Sequence, residues 1–151
     1  MTKKKITVGI LVLGMVFATT AFAELPVTVI GTFGLGYTTN DGRGAMASSF
    51  DLDLVSQKGF VISFGLLENF HFNSKTSISN NYIGIGWRNL NDNWDAGCLL
   101  VGIPGYWFGS KVNGRYWFTD IFGVDLSVMY GYNPYNRNSL FTVRTGISIR
   151  K

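Results

Sequence analysis

The sequence is poor in the residue types on which most enzymes and metalloproteins depend. Its 151 residues include a single cysteine, Cys98, and a single histidine, His71. One cysteine cannot close an internal disulfide or supply a zinc cluster, and one histidine excludes multi-histidine metal sites. Charged residues make up 15% of the chain, against about 25% in soluble globular proteins. We therefore expect no metal, no cofactor and few solvated side chains.

Long apolar runs are also absent beyond the N-terminal segment. From Glu24 onward no stretch approaches the roughly 18 consecutive apolar residues that a transmembrane helix needs. The chain is nevertheless 46% hydrophobic, which excludes intrinsic disorder. Its length suits one domain.

The first 23 residues have the pattern of a secretory signal peptide. Lys3, Lys4 and Lys5 precede an apolar run at residues 6–17, and Ala21 and Ala23 form an A-x-A cleavage site. We predict a cleaved signal over residues 1–23 and a mature domain over residues 24–151, with an uncleaved anchor as the alternative. Without those lysines, 10 basic residues face 9 acidic ones, so the formal charge of +4 falls to +1. The basic balance therefore belongs to the export signal and does not indicate nucleic-acid binding.

The mature sequence is dominated by strict alternation of apolar and small or polar residues. This period of two is typical of strands with one apolar face. It recurs in eight segments, which contain Val29, Phe50, Phe60, Ile83, Trp94, Val112, Val124 and Phe141. Residues 94–103 are apolar on both faces, so their register stays open. Longer polar or Gly/Pro-rich connections at residues 40–44, 73–80, 104–105 and 133–138 alternate with tight turns at 56–59, 91–93 and 119–120. The pattern predicts an all-β, eight-stranded antiparallel up-and-down barrel.

Composition decides which face of the barrel is inside. A soluble, lipocalin-like barrel would carry Lys and Glu on its outward positions, whereas the polar face here is mostly Gly, Ser, Thr and Asn. That mixture suits a lumen only wide enough for side chains, with the apolar face in lipid. Aromatic residues fall on the apolar face near strand ends, as in the girdles of membrane barrels: Tyr37, Trp87, Tyr116, Tyr130 and Tyr132. The sequence therefore predicts a transmembrane β-barrel.

The same alternation places charged side chains inside the lumen. The acidic ones are Asp51, Asp53 and Asp125, and the basic ones are Arg88, Lys111, Arg115 and Arg144. Charges shielded from water are costly unless they are paired. We therefore predict a connected ion-pair and hydrogen-bond network; the alternative is that some of these groups lie near the barrel mouths and face water.

One segment resembles a known family. Residues 114–124 read Gly-Arg-Tyr-Trp-Phe-Thr-Asp-Ile-Phe-Gly-Val, and Tyr130-Gly131-Tyr132 follow. This is similar to the penultimate hairpin of small outer-membrane barrels of the OmpA, OmpX and opacity-protein type, and also resembles small barrels of treponemal type. The resemblance implies a location in the outer membrane, with outer-membrane lipid and the barrel assembly machinery as partners. Members of that family usually end in an aromatic residue, whereas this chain ends in Lys151.

Catalysis has a weak basis in the sequence. Glu68, His71 and Ser74 or Ser77 are the one possible triad, and extended chain would hold them roughly 10 Å apart. The lipid A deacylases that resemble such barrels carry His and Ser near the C-terminus, where this chain has no matching motif. Cys98 lacks a neighbouring base or cation that would activate it. We therefore expect no enzyme activity.

These observations favour a non-enzymatic outer-membrane barrel that presents short surface loops, with a structural, adhesive or antigenic role. We expect a monomer with no nucleic-acid partner and a possible extracellular ligand at the loops. A narrow, porin-like channel or a carrier for small hydrophobic solutes is the alternative, followed by a lipid A hydrolase.

Overall fold

The computed structural model describes residues 27–40, 43–71, 76–103, 107–135 and 137–151. The predicted signal peptide and its cleavage residues Ala21 and Ala23 lie outside this part of the chain. The described residues form eight strands: β1 Val27–Asn40, β2 Arg43–Ser56, β3 Phe60–His71, β4 Thr76–Leu90, β5 Trp94–Ile103, β6 Trp107–Trp117, β7 Phe122–Asn133 and β8 Asn138–Arg150. Within these ranges no helix is long and apolar enough to cross a membrane.

The strands close into one barrel, which confirms the predicted fold class. Each strand pairs antiparallel with the next, and β8 pairs with β1, for example at Gly34 and Gly146. Following cross-strand partners from Val29 once around the barrel leads to Thr39, ten residues farther along β1. Such a stagger requires strands tilted by roughly 35–45° from the barrel axis. An eight-stranded barrel of this kind has an interior just wide enough for side chains.

The strands are longer than the alternation predicts, and the predicted difference in length between the connections at the two ends of the barrel is wrong. β1 continues to Asn40 and β2 begins at Arg43, while β4 begins at Thr76. The ladder also reaches Asn133, which pairs with Asn138. Polar side chains do not end a strand whose backbone groups still have partners, because unpaired N–H and C=O groups are costly. The four connections that follow β1, β3, β5 and β7 therefore span only two to four residues between strands.

The β2–β3, β4–β5 and β6–β7 turns lie at the opposite end of the barrel, where β1 begins and β8 ends. Local hydrogen bonds stabilise these turns. The Ser56 hydroxyl accepts the Phe60 N–H at 3.0 Å, and Gly59 has φ 87°, a conformation that favours glycine. The Thr119 hydroxyl accepts the Phe122 N–H at 2.9 Å. These turns lie where the sequence predicts them. We call this the terminal end and the other the far end.

The predicted faces hold along the strands, and the structure fixes the open register of β5. Asp95, Gly97, Leu99 and Val101 face inward and are buried, whereas Trp94, Ala96, Cys98 and Leu100 face outward. One outward position, Val29, is only 4% exposed. On the alternating strands the apolar face thus lies on the outside of the barrel and the small and polar face lines the lumen, whereas β5 has apolar residues on both faces.

Candidate functional site: the closed lumen

The lumen holds all seven charged residues that the alternation assigns to it. Asp51, Asp53, Arg88, Lys111, Arg115, Asp125 and Arg144 are each at most 3% exposed. The structure adds an eighth, Asp95 of β5, which the sequence analysis missed because the register of that strand was open. These groups form two clusters at different depths.

The cluster nearer the terminal end joins two arginines to three aspartates. Arg115 contacts Asp53 at 2.7 Å through Nη2 and Asp125 at 3.1 Å through Nε. Arg88 contacts the same Asp53 oxygen at 3.1 Å and pairs with Asp95. Each guanidinium therefore bridges carboxylates from different strands, as its forked donors allow. We call this set the lower cluster.

Neutral donors add hydrogen bonds to the three carboxylates of the lower cluster. The Ser63 hydroxyl donates to Asp53 at 2.6 Å, and the Asn113 amide donates to Asp125 at 2.9 Å. The Trp117 indole N–H donates to Asp95 at 2.7 Å. Such bonds are what make buried charges tolerable, because charge pairing alone leaves lone pairs unsatisfied.

A second set, the central cluster, gathers around Asp51. Lys111 Nζ lies 2.7 Å from Asp51 Oδ2, and the Arg144 guanidinium pairs with the same oxygen. The Tyr82 hydroxyl donates to the other Asp51 oxygen and accepts from Lys111 at 3.1 Å. Arg144 Nε also donates to the Ser127 hydroxyl at 2.6 Å. One carboxylate thus serves two cations.

The charges of the two clusters cancel. The lower cluster has two arginines and three aspartates, and the central cluster has one aspartate with one lysine and one arginine. The lower cluster is therefore one charge negative and the central cluster one charge positive. A balanced lumen avoids the cost of an uncompensated buried charge.

Apolar side chains fill the lumen beside and beyond the central cluster, toward the far end. The buried ones are Ala47, Leu67, Leu99, Val101, Met129 and Leu140, with Trp107 packed against them. Together with the two clusters they leave the interior occupied along the barrel.

Gly65 allows the central cluster to form. It lies directly opposite Tyr82 in the β3–β4 register, and a Cβ at Gly65 would overlap the Tyr82 ring. The glycine therefore lets this ring lie against β3 with its hydroxyl at Asp51.

We expect Gly65→Ala to displace Tyr82 and lower the free energy of unfolding by about 1–3 kcal/mol, the usual cost of overpacking. Gly114→Ala is the matched control, because a Cβ at Gly114 would meet its nearest atom only at 3.9 Å. Urea titration of the two variants checks this, and equal stability would show that the Tyr82 ring does not depend on Gly65.

Arg150 links two turns at the terminal end of the barrel. Its guanidinium donates to the backbone oxygens of Asn91, Asp92 and Asp120 and lies over the Trp117 ring at 4.5 Å from the ring centre. It therefore ties the last strand to two turns. Lys151, where the resembling family has an aromatic residue, pairs its backbone with Val29.

The aromatic residues of the predicted girdle divide between the two ends. Trp87 and Tyr116 lie toward the terminal end, whereas Tyr37, Tyr130 and Tyr132 lie toward the far end. The first four are exposed by about half, and Tyr132 is partly covered by an edge-on contact with Phe108. Other exposed aromatics extend these rings: Phe60, Trp94 and Phe122 toward the terminal end, and Phe108 and Phe141 toward the far end.

The described part of the chain does not bring the candidate catalytic residues together. Glu68 faces outward and is exposed, while Ser74 and the side chains of His71 and Ser77 lie outside the described part of the chain. Among the described residues no three His, Cys, Asp or Glu side chains come together as a metal site. Cys98 is exposed on the outer wall.

Three solved structures share this fold at low sequence identity. Ail, the attachment invasion locus protein of Yersinia pestis, has a TM-score of 0.60 and 10% identity, covering 83% of this chain and 99% of Ail. Neisserial surface protein A has a TM-score of 0.56 and 8% identity, covering 82% and 96%. The N-terminal β-barrel domain of Pseudomonas aeruginosa OprF has a TM-score of 0.52 and 9% identity, covering 81% and 97%.

No protein-family model matches the sequence, and no curated protein matches it significantly. The structural likeness therefore establishes the fold. All three neighbours are small eight-stranded outer-membrane barrels, which confirms the resemblance to barrels of the OmpA and OmpX type.

Proposed function

We propose that the chain is an integral outer-membrane barrel with a closed lumen, which serves as a structural and adhesive element of the cell surface. The observation that carries the proposal is the inverted distribution of side chains. Charged groups are buried inside, while large apolar residues on every strand are exposed outside, for example Phe33, Ile85 and Leu126 at 52–60% exposure. Water would not stabilise such a surface, but lipid would.

The filled lumen supports a structural or adhesive role over a channel or carrier. Ion pairs and apolar side chains occupy the space through which solutes would pass. The Arg150 contacts cover the terminal end as well.

The far end supplies the surface for an extracellular partner. The connections there are short, so strand ends rather than long loops form much of the rim. Tyr135, 81% exposed in the β7–β8 turn, is the most exposed large hydrophobic side chain there among the described residues. The name of Ail as an attachment protein supports an adhesive role for this rim. Export through the signal peptide and assembly by the barrel machinery complete the proposal.

Three measurements test it. The protein folded in lipid vesicles should resist alkaline extraction and should shift in gel mobility when boiled, as closed membrane barrels do. In planar bilayers it should show no steady ion conductance. A protein recovered in the soluble fraction would contradict the membrane location, and steady conductance would favour the channel alternative.

A further inference from the structure

The outer wall has a polar interruption that the membrane-barrel proposal does not explain. Ser48, Glu68, Ser79 and Asn81 form it on neighbouring strands β2, β3 and β4 toward the far end. Among the outward-facing strand side chains that the structure describes, only Glu68 carries a charge. We call these four residues the outer polar patch.

Three members of the patch lie in one row across the strands. Ser48 is directly opposite Glu68, and Glu68 is directly opposite Ser79. Side chains in such positions have Cβ atoms about 4.5–5.5 Å apart. Glu68 and Ser79 are exposed and Ser48 is half-buried. The row therefore presents three oxygen-bearing side chains side by side on the outer wall.

Glu68 has no partner within the described part of the protein. No ion pair or hydrogen bond of its carboxylate is formed with the described residues, in contrast to the buried aspartates of the lumen. A carboxylate on an otherwise apolar wall is costly unless it is solvated or paired. Within the described residues nothing neutralises Glu68, so its exposed carboxylate is accessible to a cationic group of the surrounding lipid.

The patch lies at the depth of the lipid head groups. Ser48 is opposite Leu35 and diagonal to Tyr37, which belongs to the aromatic ring at the far end. Tyr37 and Glu68 are each three residues from the far end of their strands. Interfacial tyrosines mark the boundary between acyl chains and head groups.

We infer that the outer polar patch binds the primary ammonium of a membrane lipid head group, an inference that rests on the proposed membrane location. An ammonium offers three N–H donors and a positive charge, which the Glu68 carboxylate and the Ser48 and Ser79 hydroxyls can accept. A quaternary ammonium has no N–H donor, and an anionic phosphate would be repelled by Glu68. A divalent metal ion takes about six or more oxygen ligands, more than one carboxylate and two hydroxyls supply.

The test uses the full protein in nanodiscs that contain equal amounts of phosphatidylethanolamine and phosphatidylcholine. The lipids retained after mild delipidation are counted by native mass spectrometry. We expect phosphatidylethanolamine to be enriched roughly fivefold, equivalent to ~1 kcal/mol. Glu68→Gln should abolish the enrichment, whereas Thr145→Leu, which removes a polar side chain elsewhere on the outer wall, should retain it.

Several outcomes would overturn the inference. Equal retention of both lipids by the unaltered protein, or enrichment that survives Glu68→Gln, would show that the patch does not select an ammonium. Retention of phosphatidylglycerol that requires magnesium and is lost with EDTA would indicate a metal-bridged phosphate instead. A dimer that Glu68→Gln dissociates would indicate a second copy as the occupant.

Heat-modifiable gel mobility, measured on the same samples, separates this inference from the proposed function. A protein that inserts but shows no lipid preference contradicts only the ammonium site. A protein that does not insert contradicts the membrane location itself.

Discussion

Replacing Asp51 with alanine is expected to lower the free energy of unfolding by about 3–5 kcal/mol, the cost of stranding a buried charge. Asp51 is the one carboxylate of the central cluster, so its loss leaves Lys111 and Arg144 unpaired inside the lumen. The central cluster would then carry two positive charges against the single negative charge of the lower cluster. Urea titration in lipid vesicles, with the folded fraction read from gel mobility, measures the change.

Asp92→Ala is the matched control, because the Asp92 side chain is exposed in the β4–β5 turn. Its backbone oxygen, which accepts from Arg150 at 2.9 Å, would remain. We expect a change within about 0.5 kcal/mol. If Asp51→Ala were as mild as Asp92→Ala, the ion pairs of the central cluster would not contribute to stability.

A double variant distinguishes loss of the Asp51–Lys111 ion pair from independent destabilisation by each substitution. In Asp51→Ala combined with Lys111→Met, one of the two stranded cations is removed. The combined destabilisation should therefore be smaller than the sum of the single effects, as for residues in one network. Strict additivity would show that Asp51 and Lys111 act independently.

Introducing an arginine into the outer wall is the second substitution for which we expect a large loss of stability. Val128 lies near the middle of β7, opposite Val112 and Val143, and its side chain faces outward. We expect Val128→Arg to cost roughly 2–4 kcal/mol, the penalty for a cation near the bilayer midplane. Folding yield into vesicles and urea titration measure this penalty.

Asn89→Arg is the control for depth. Asn89 also faces outward, but it is one residue from the end of β4 at the terminal end. Near the interface the same substitution should cost about 0–1 kcal/mol. Equal tolerance at both positions would mean that Val128 does not lie in lipid.

Strand number, strand faces and the inward charges could be predicted from the sequence because each depends on a period of two. A residue such as Asp53 or Arg144 falls on the small and polar side of an alternating segment whatever the rest of the fold does. The closure of the barrel followed from the even series of such segments. Predicting these features required no sequence motif.

The register of β5 could not be read from alternation because both of its faces are apolar. Leu99 and Val101 lie in the lumen, whereas Cys98 and Leu100 face outward. Asp95 carried the missing signal: an aspartate near the end of a membrane strand belongs on the polar face, and that placement would have fixed the register. The lumen would then have been predicted as electrically balanced.

The sequence could not predict which of the charged side chains in the lumen pair with each other. Asp51 and Arg144 are on β2 and β8, which do not neighbour each other, and they meet only because the stagger of the barrel brings them to one depth. The same geometry brings Tyr82 and Asn113, two further inward-facing residues, into hydrogen-bond contact with the charged groups. The strand ends were underestimated because side-chain polarity does not report on backbone pairing.

The most direct measurement of the central claim, an apolar outer wall in lipid, uses the single native cysteine. Cys98 faces outward on β5, opposite Trp87 and Val112, and a nitroxide spin label attached to it needs no substitution. Power-saturation spectroscopy after refolding into vesicles compares its exposure to oxygen, which partitions into lipid, with its exposure to a water-soluble nickel complex.

We predict high oxygen and low nickel accessibility at Cys98. The reverse is predicted for a label at Gln57→Cys in a Cys98→Ser background, because Gln57 is exposed in the β2–β3 turn. Nickel accessibility at Cys98 as high as at residue 57 would place this wall in water and contradict the account.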